Sequence, residues 1–367
     1  MKLSRLSMVA VLLALATVTP VWAQVEQPAA ATPPDPATIV AIPPELEALV
    51  RERVIRTTTS HERRLDKLVD LLFGPQGLAL EYDGSRTRTI SEAFTDRKAN
   101  CLSFSLMFVA LARRAGIDAH VQETDHVLAW QGDGVLYGNG HVNVAVKVGR
   151  ARKTVDIDRS VVSIRGTQRA ISDERALAHF YNNRGAELMG QGQLPAAGLH
   201  MAMAIRMEPE FVGAWSNLGV LHMREGSLQE AERAYLAALE RNKKHAPALS
   251  NLVNLYRQAG DDRRRAEFER RLYEVQRRDP FHQIILALSY EKSHNYAAAV
   301  EHFRRAIRLK ARDHFVYYGL ARSYAHLGDT RRAADALVRA RDVAGDQGHM
   351  YQAKLEQLRR SHASLMH

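Results

Sequence analysis

The chain has 367 residues, 46% of them hydrophobic and 25% charged, an ordinary globular composition that excludes wholesale disorder. Its formal charge of +10 is spread along the sequence, and the arginine pairs of the second half sit among Glu and Asp at helical spacing, so solvated helix faces are expected and no nucleic-acid partner. With one cysteine in the whole chain, an internal disulfide is impossible.

Lys2 and Arg5, an apolar run from Met8 to Leu15, and Val21-Trp22-Ala23 predict a secretory signal peptide over residues 1–23. The run is shorter than the ~20 apolar residues that span a bilayer, and no other stretch reaches that length. The cleaved protein is therefore expected to be periplasmic or secreted, with no integral membrane span after cleavage; the alternative is an uncleaved leader retained as an anchor. Residues 24–44 carry Pro28, Pro33, Pro34, Pro36, Pro43 and Pro44 among alanines and polar residues, and predict an unpacked Pro/Ala-rich linker. Two helical stretches follow from Glu45 to Phe73, broken near Thr57-Thr58-Thr59. Ser60 is placed to cap the second, and Gly74-Pro75 ends it.

After a polar approach rich in Arg and Thr comes Asn100-Cys101, followed by Leu102, Phe104, Leu106, Met107, Phe108, Val109 and Leu111. Those residues leave almost no polar face, so this helix is expected to be central. Asn100 is a natural N-cap, which sets Cys101 in the first turn, where unpaired N–H groups and the helix dipole favour a thiolate. From Ile117 to about Ile164 the pattern is β-like. His141 is read as the start of an alternating strand whose valines share one face while His141, Asn143, Ala145 and Lys147 share the other. After a turn at Gly149–Arg152, Thr154, Asp156 and Asp158 return on the histidine's side, so an antiparallel hairpin sets an acid beside His141 in either two-fold register. A nucleophile, a base and an orienting acid are thereby assembled. His120 and His126 are expected at strand edges or on the surface. No metal-ligand spacing is found, so neither metal nor cofactor is expected. The segment Gln131 to Gly140 reads as a loop.

The second half repeats. Units begin near Ala178, Val212, Ala246, Pro280 and His314, each 34 residues after the one before. Tyr181, Trp215, Leu249 and Tyr317 recur near the starts, and Gly192, Gly226, Gly260 and Gly328 mark the inter-helix turns. Small residues follow on the second helices, at Ala197, Ala231, Ala299 and Ala333 and again at Ala204, Ala238, Ala306 and Ala340. A helix hairpin of this length cannot bury its apolar stripe alone, so stacked pairs share one core. In the third unit Arg265 stands where a small residue belongs, and a local distortion is expected there. Residues 348–367 read as a capping helix.

The period and residue types of 178–347 resemble the tetratricopeptide repeat family, five units of it, and imply a protein or peptide partner. The order and setting of Cys101, His141 and Asp156 resemble the transglutaminase-like superfamily of papain-related folds, over residues 45–165. That resemblance implies an α+β domain with its central helix on an antiparallel sheet, joined to an all-α solenoid. It also implies Cys101 as nucleophile, His141 as general acid and base, and Asp156 as orienting acid, with Asp158 in its stead if the strand slips by two. Val142, Asn143 and Val155 stand where members often carry aromatic residues. The chain is similar to a bacterial subgroup with appended repeats, some members of which lack the nucleophile. The expected function is an exported cysteine-dependent amide hydrolase or transglutaminase; the alternative is an inactive domain serving with the repeats as an interaction scaffold.

Overall fold

The computed structural model describes residues 32–131, 134–157, 161–162, 168–345 and 348–365. The expected leader, residues 24–31 and Asp158 lie outside the described residues.

The described end of the expected linker is not a free tether. Asp35 caps a short helix, α1 (Pro36–Ile39), by accepting from the Ala37 amide at 2.8 Å. Proline is tolerated at such a start because no helical N–H is lost there. Ile39 is fully buried, Ile42 packs on the same core, and the Tyr181 hydroxyl donates to the Pro34 carbonyl at 2.6 Å. Proline content hid the two isoleucines that anchor the segment.

Helix α2 (Pro44–Val50) continues into a π-type turn over Arg51–Ile55, and Ser60 caps α3 (His61–Phe73). Two short parallel strands, β1 (Glu81–Tyr82) and β2 (Lys98–Ala99), flank α4 (Ile90–Asp96), which starts in a capping box formed by Thr89 and Glu92. Helix α5 (Cys101–Arg114) buries Leu102, Phe104, Met107, Phe108 and Leu111 almost completely. At about 1.5–3 kcal/mol for each large apolar side chain buried, this helix anchors the domain. It packs against β3 (Asp118–Gln131) and β4 (Gly134–Val148). The sheet is antiparallel, ordered β5 (Ala151–Val155), β4, β3, β6 (Val161–Val162), with β7 (Gln168–Ala170) also paired to β3.

Two sequence expectations change here. His141 lies within β4 rather than opening it, and residues 134–140, read as a loop, are strand paired to β3 from Gln131↔Gly134 to His126↔Asn139. Gly134, Gly138 and Gly140 masked a strand that pairs through its backbone.

The remainder is helical: five antiparallel pairs, α6 (Asp173–Gly190) with α7 (Leu194–Met207), α8 (Val212–Arg224) with α9 (Leu228–Arg241), α10 (Ala246–Ala259) with α11 (Asp262–Gln276), α12 (Pro280–Lys292) with α13 (Tyr296–Arg308), and α14 (His314–His326) with α15 (Thr330–Ala344). Helix α16 (Gly348–Leu365) closes the stack with Tyr351 and Leu355 buried. All eight repeated alanines on the second helices are fully buried, as close helix approach requires. The turn glycines have φ of 70–78°, and His294, at φ 59°, takes that left-handed position in the fourth pair. Gly219 and Gly319 admit an aromatic ring: an added Cβ would lie 2.4 Å from the rings of Tyr235 and Phe303 respectively.

The distortion expected near Arg265 is absent, because α11 is continuous. The misfit appears instead as thin packing: only Phe268 of α11 is buried, and Arg265 turns to Asp262 at 3.0 Å. Among the described residues, no helix is long and apolar enough to cross a membrane.

The first helix pair is continuous with the N-terminal domain. Ala176, Ala178, Phe180 and Tyr181 share one apolar core with Phe104, Val144 and Leu68. Arg113 grips Asp173 at 2.6 and 3.0 Å, and Glu123 on β3 accepts from Arg175 at 2.7 Å, from Arg169 at 2.8 Å and from His179. Burial would raise the Glu123 carboxyl, but its hydrogen bonds and charge contacts with His179 and Arg175 outweigh that and hold it well below the usual carboxylate range.

Candidate functional site

The site begins at the start of α5. Asn100 Oδ1 accepts from the Ser103 amide at 2.8 Å, and its Nδ2 donates to Thr87 Oγ1 at 2.8 Å, so the cap is held from both sides. The Arg88 amide donates to Ser103 Oγ at 2.6 Å. Arg88 itself is fixed by Asp83 and Asp96, both at 2.8 Å. Cys101, half-buried, is the first residue of the helix so clamped.

Val144 pairs with Val155 across β4 and β5. In that register Asp156, one residue past the strand, comes level with Asn143 and diagonal to His141. The diagonal is the contact made: His141 Nε2 and Asp156 Oδ2 are 2.5 Å apart, and Asn143 Nδ2 donates to the same oxygen at 3.3 Å. His141 is only 8% exposed. Burial disfavours the charged imidazolium, yet the hydrogen bond it gives to Asp156 and its interactions with Asp156 and Cys101 push its pKa up to about 10. The Cys101 thiol therefore lies near enough to the same ring to favour its charged form. The structure therefore brings together Cys101, His141 and Asp156.

Three contributors escaped the sequence reading. Asn143 was placed on the His141 face by the alternation, but it was given no part in the site and was noted only as a departure from the family pattern. Thr124, fully buried, is the strand partner of His141, and only the strand register reveals it. Thr87 looked like part of a polar approach. Among the described residues, Thr124 Oγ1 and Asn143 Oδ1 are buried without a hydrogen-bond partner. His120 is half-exposed beside Asp118, 2.9 Å away. Among the described residues no group of three or more His, Cys, Asp or Glu is arranged to hold a metal ion.

A second feature is a trough of about 1590 Å³ along the first helices of the repeats. Asn183, Asn217, His245 and Phe281 line it, and it ends at Thr124 and Arg169 on the sheet. Burial lowers the pKa of His245 to about 4, so this ring of the trough is neutral at ordinary pH.

The family model for the transglutaminase-like superfamily matches residues 50–154, and that for the tetratricopeptide repeat matches 182–247 and 286–348. The chain carries a transglutaminase-like domain followed by tetratricopeptide repeats. The first match includes Cys101 and His141 and stops just before Asp156. The gap in the second spans the third pair, where α11 packs thinly. No curated protein matches the chain. Solved structures with similarity include a tetratricopeptide repeat protein, YrrB, described as having an unusual peptide-binding site, at 16% identity over 49% of this chain and 92% of that one, TM-score 0.26. A tetratricopeptide repeat protein from Parabacteroides merdae is 20% identical over 49% of this chain and 78% of that one, TM-score 0.26. MamA from Desulfovibrio magneticus is 16% identical over 48% and 99%, TM-score 0.27. Overlaps this slight add nothing to the assignment.

Proposed function

We propose that this transglutaminase-like domain with its tetratricopeptide repeats is a cysteine-dependent acyl-transfer enzyme acting on an amide of a protein or peptide. The observation that best supports the reading is the buried imidazole of His141, tied to Asp156 at 2.5 Å on Nε2 and favoured in its charged form by Cys101 at the start of a capped helix.

In the proposed reaction the thiol proton resides on His141 and the sulfur attacks the amide carbonyl carbon. The tetrahedral oxyanion is received by N–H groups of the first turn of α5. On collapse the C–N bond breaks, the imidazolium gives its proton to the departing amine, and a thioester remains on Cys101. Water, deprotonated by His141, then attacks the thioester, releasing the acid and returning the proton to the site; an amine in place of water gives transamidation. Asp156 keeps the ring oriented throughout, with Asn143 steadying its carboxylate. Hydrolysis is the simpler outcome, since it needs no second substrate pocket.

The trough would hold an extended segment of the partner, because its polar side chains suit main-chain contacts and its end at Thr124 adjoins the histidine strand. The leader pattern at residues 1–23 supports export to a periplasm or the outside. A peptide-amide electrophile added to the whole protein should form one adduct, on Cys101, and Cys101→Ala should lose both adduct and turnover while its thermal midpoint moves little. A midpoint collapse in Cys101→Ala, with no turnover in the parent to lose, would instead favour the scaffold reading.

A further inference from the structure

The first helix of the repeat array is hydrogen-bonded to the segment that caps the cysteine helix. On α6, Glu187 Oε1 accepts from the Thr87 backbone N–H at 2.7 Å, a contact across 100 residues of sequence. Thr87 is fully buried, and its hydroxyl accepts from Asn100 Nδ2 at 2.8 Å. Asn100 in turn caps α5 through Ser103 N, directly beside Cys101. Arg184, one turn back on α6, donates to the other Glu187 oxygen at 3.0 Å and fixes the carboxylate. A carboxylate accepting an amide N–H makes one of the stronger hydrogen bonds available to a protein, and the remaining links are buried and rigid.

We infer that Glu187 is a positioning residue for the thiol, through a chain running from Glu187 to Thr87 to Asn100 to the first turn of α5. The inference rests on Cys101 being the nucleophile. It makes the first repeat part of the reacting machinery. It also gives the array a route to the thiol, since the helix that offers Asn183 to the trough also offers Glu187 to Thr87.

The chain's single cysteine makes the test clean, because iodoacetamide reports on Cys101 alone. Alkylation rates are measured from pH 5 to pH 9 on the full chain and on His141→Ala, Glu187→Ala, Glu187→Gln and Thr87→Val, each with a melting curve. Glu187→Ala should slow the reaction at pH 6 roughly tenfold, within the hundredfold that an ångström of misplacement can cost, and should move the profile to higher pH. Glu187→Gln keeps an acceptor for the Thr87 N–H and should restore the rate. Thr87→Val cuts the chain at its other link and should repeat the loss, which covers the case in which Glu187→Ala does not fold. Unchanged profiles in Glu187→Ala and Thr87→Val, beside a slowed His141→Ala, would overturn the positioning role alone. A parent rate no faster than that of His141→Ala would overturn it together with the nucleophile assignment.

Discussion

Replacing His141 by alanine is expected to slow amide turnover by about 10²–10⁴, the usual worth of a positioned acid–base group. The same substitution should slow alkylation of Cys101 at pH 6 by about a hundredfold, since an ordinary thiol with a pKa of about 8.5 is scarcely ionised there. The argument rests on the surroundings of the ring: it is buried, tied to Asp156 at 2.5 Å, and held toward its charged form by the only thiol in the chain. Asp156→Asn removes the charge but keeps the shape, and should lower both rates in the same direction. Rates are followed by mass spectrometry of the Cys101 adduct and by product release; a melting curve separates lost chemistry from lost fold.

The second large effect concerns the junction of the two halves. A chain ending at residue 172 is expected to lack a cooperatively folded transglutaminase-like domain, whereas one ending at 243, after the second helix pair, should keep it. Phe180 and Tyr181 lie in the domain's own core. Removing a buried aromatic costs about 3–5 kcal/mol, so these two alone approach the roughly 5–15 kcal/mol that holds a whole domain together. Losing α6 also strips Glu123 of Arg175 and His179, leaving a buried carboxylate short of partners, and breaks the pair of Arg113 with Asp173. Circular dichroism and thermal melting of the two truncations decide it: a sharp transition in the shorter one would show that the junction is dispensable.

Local chemistry was readable from the residues. Asn100 announced a helix start, the alternation in 141–148 set His141 and Asn143 on one side, and the returning strand brought an acid to that side. The parity of the register decided the face but not the partner, which is why Asp156 turned out diagonal to the histidine and not opposite it. The repeats were equally plain, since period, glycine turns and small residues all derive from packing between neighbours. What stayed hidden was made by contacts between distant segments. Ile39 looked like part of a proline-rich tether until Tyr181, far along the chain, met Pro34. Thr87 and Glu187 carry no pattern that links them, and their hydrogen bond exists only once α6 has docked. Strand 134–140 was missed because glycine lowers strand propensity while leaving the backbone free to pair.

The charge state of His141 tests the central claim most directly. Because its pKa in the folded chain, about 10, lies above the ordinary histidine value of 6.5, the site stabilises the fold fully below pH 6.5 and loses that contribution as pH rises through about 10. Nitrogen-15 NMR titration of the imidazoles, with the His141 signals assigned by their absence from His141→Ala, reads this state. The ring should remain an imidazolium at pH 8.5 in the parent protein and titrate at lower pH in Cys101→Ala, which removes one of the two groups that favour its charge. A His141 that titrates near 6.5, with or without the cysteine, would contradict the account.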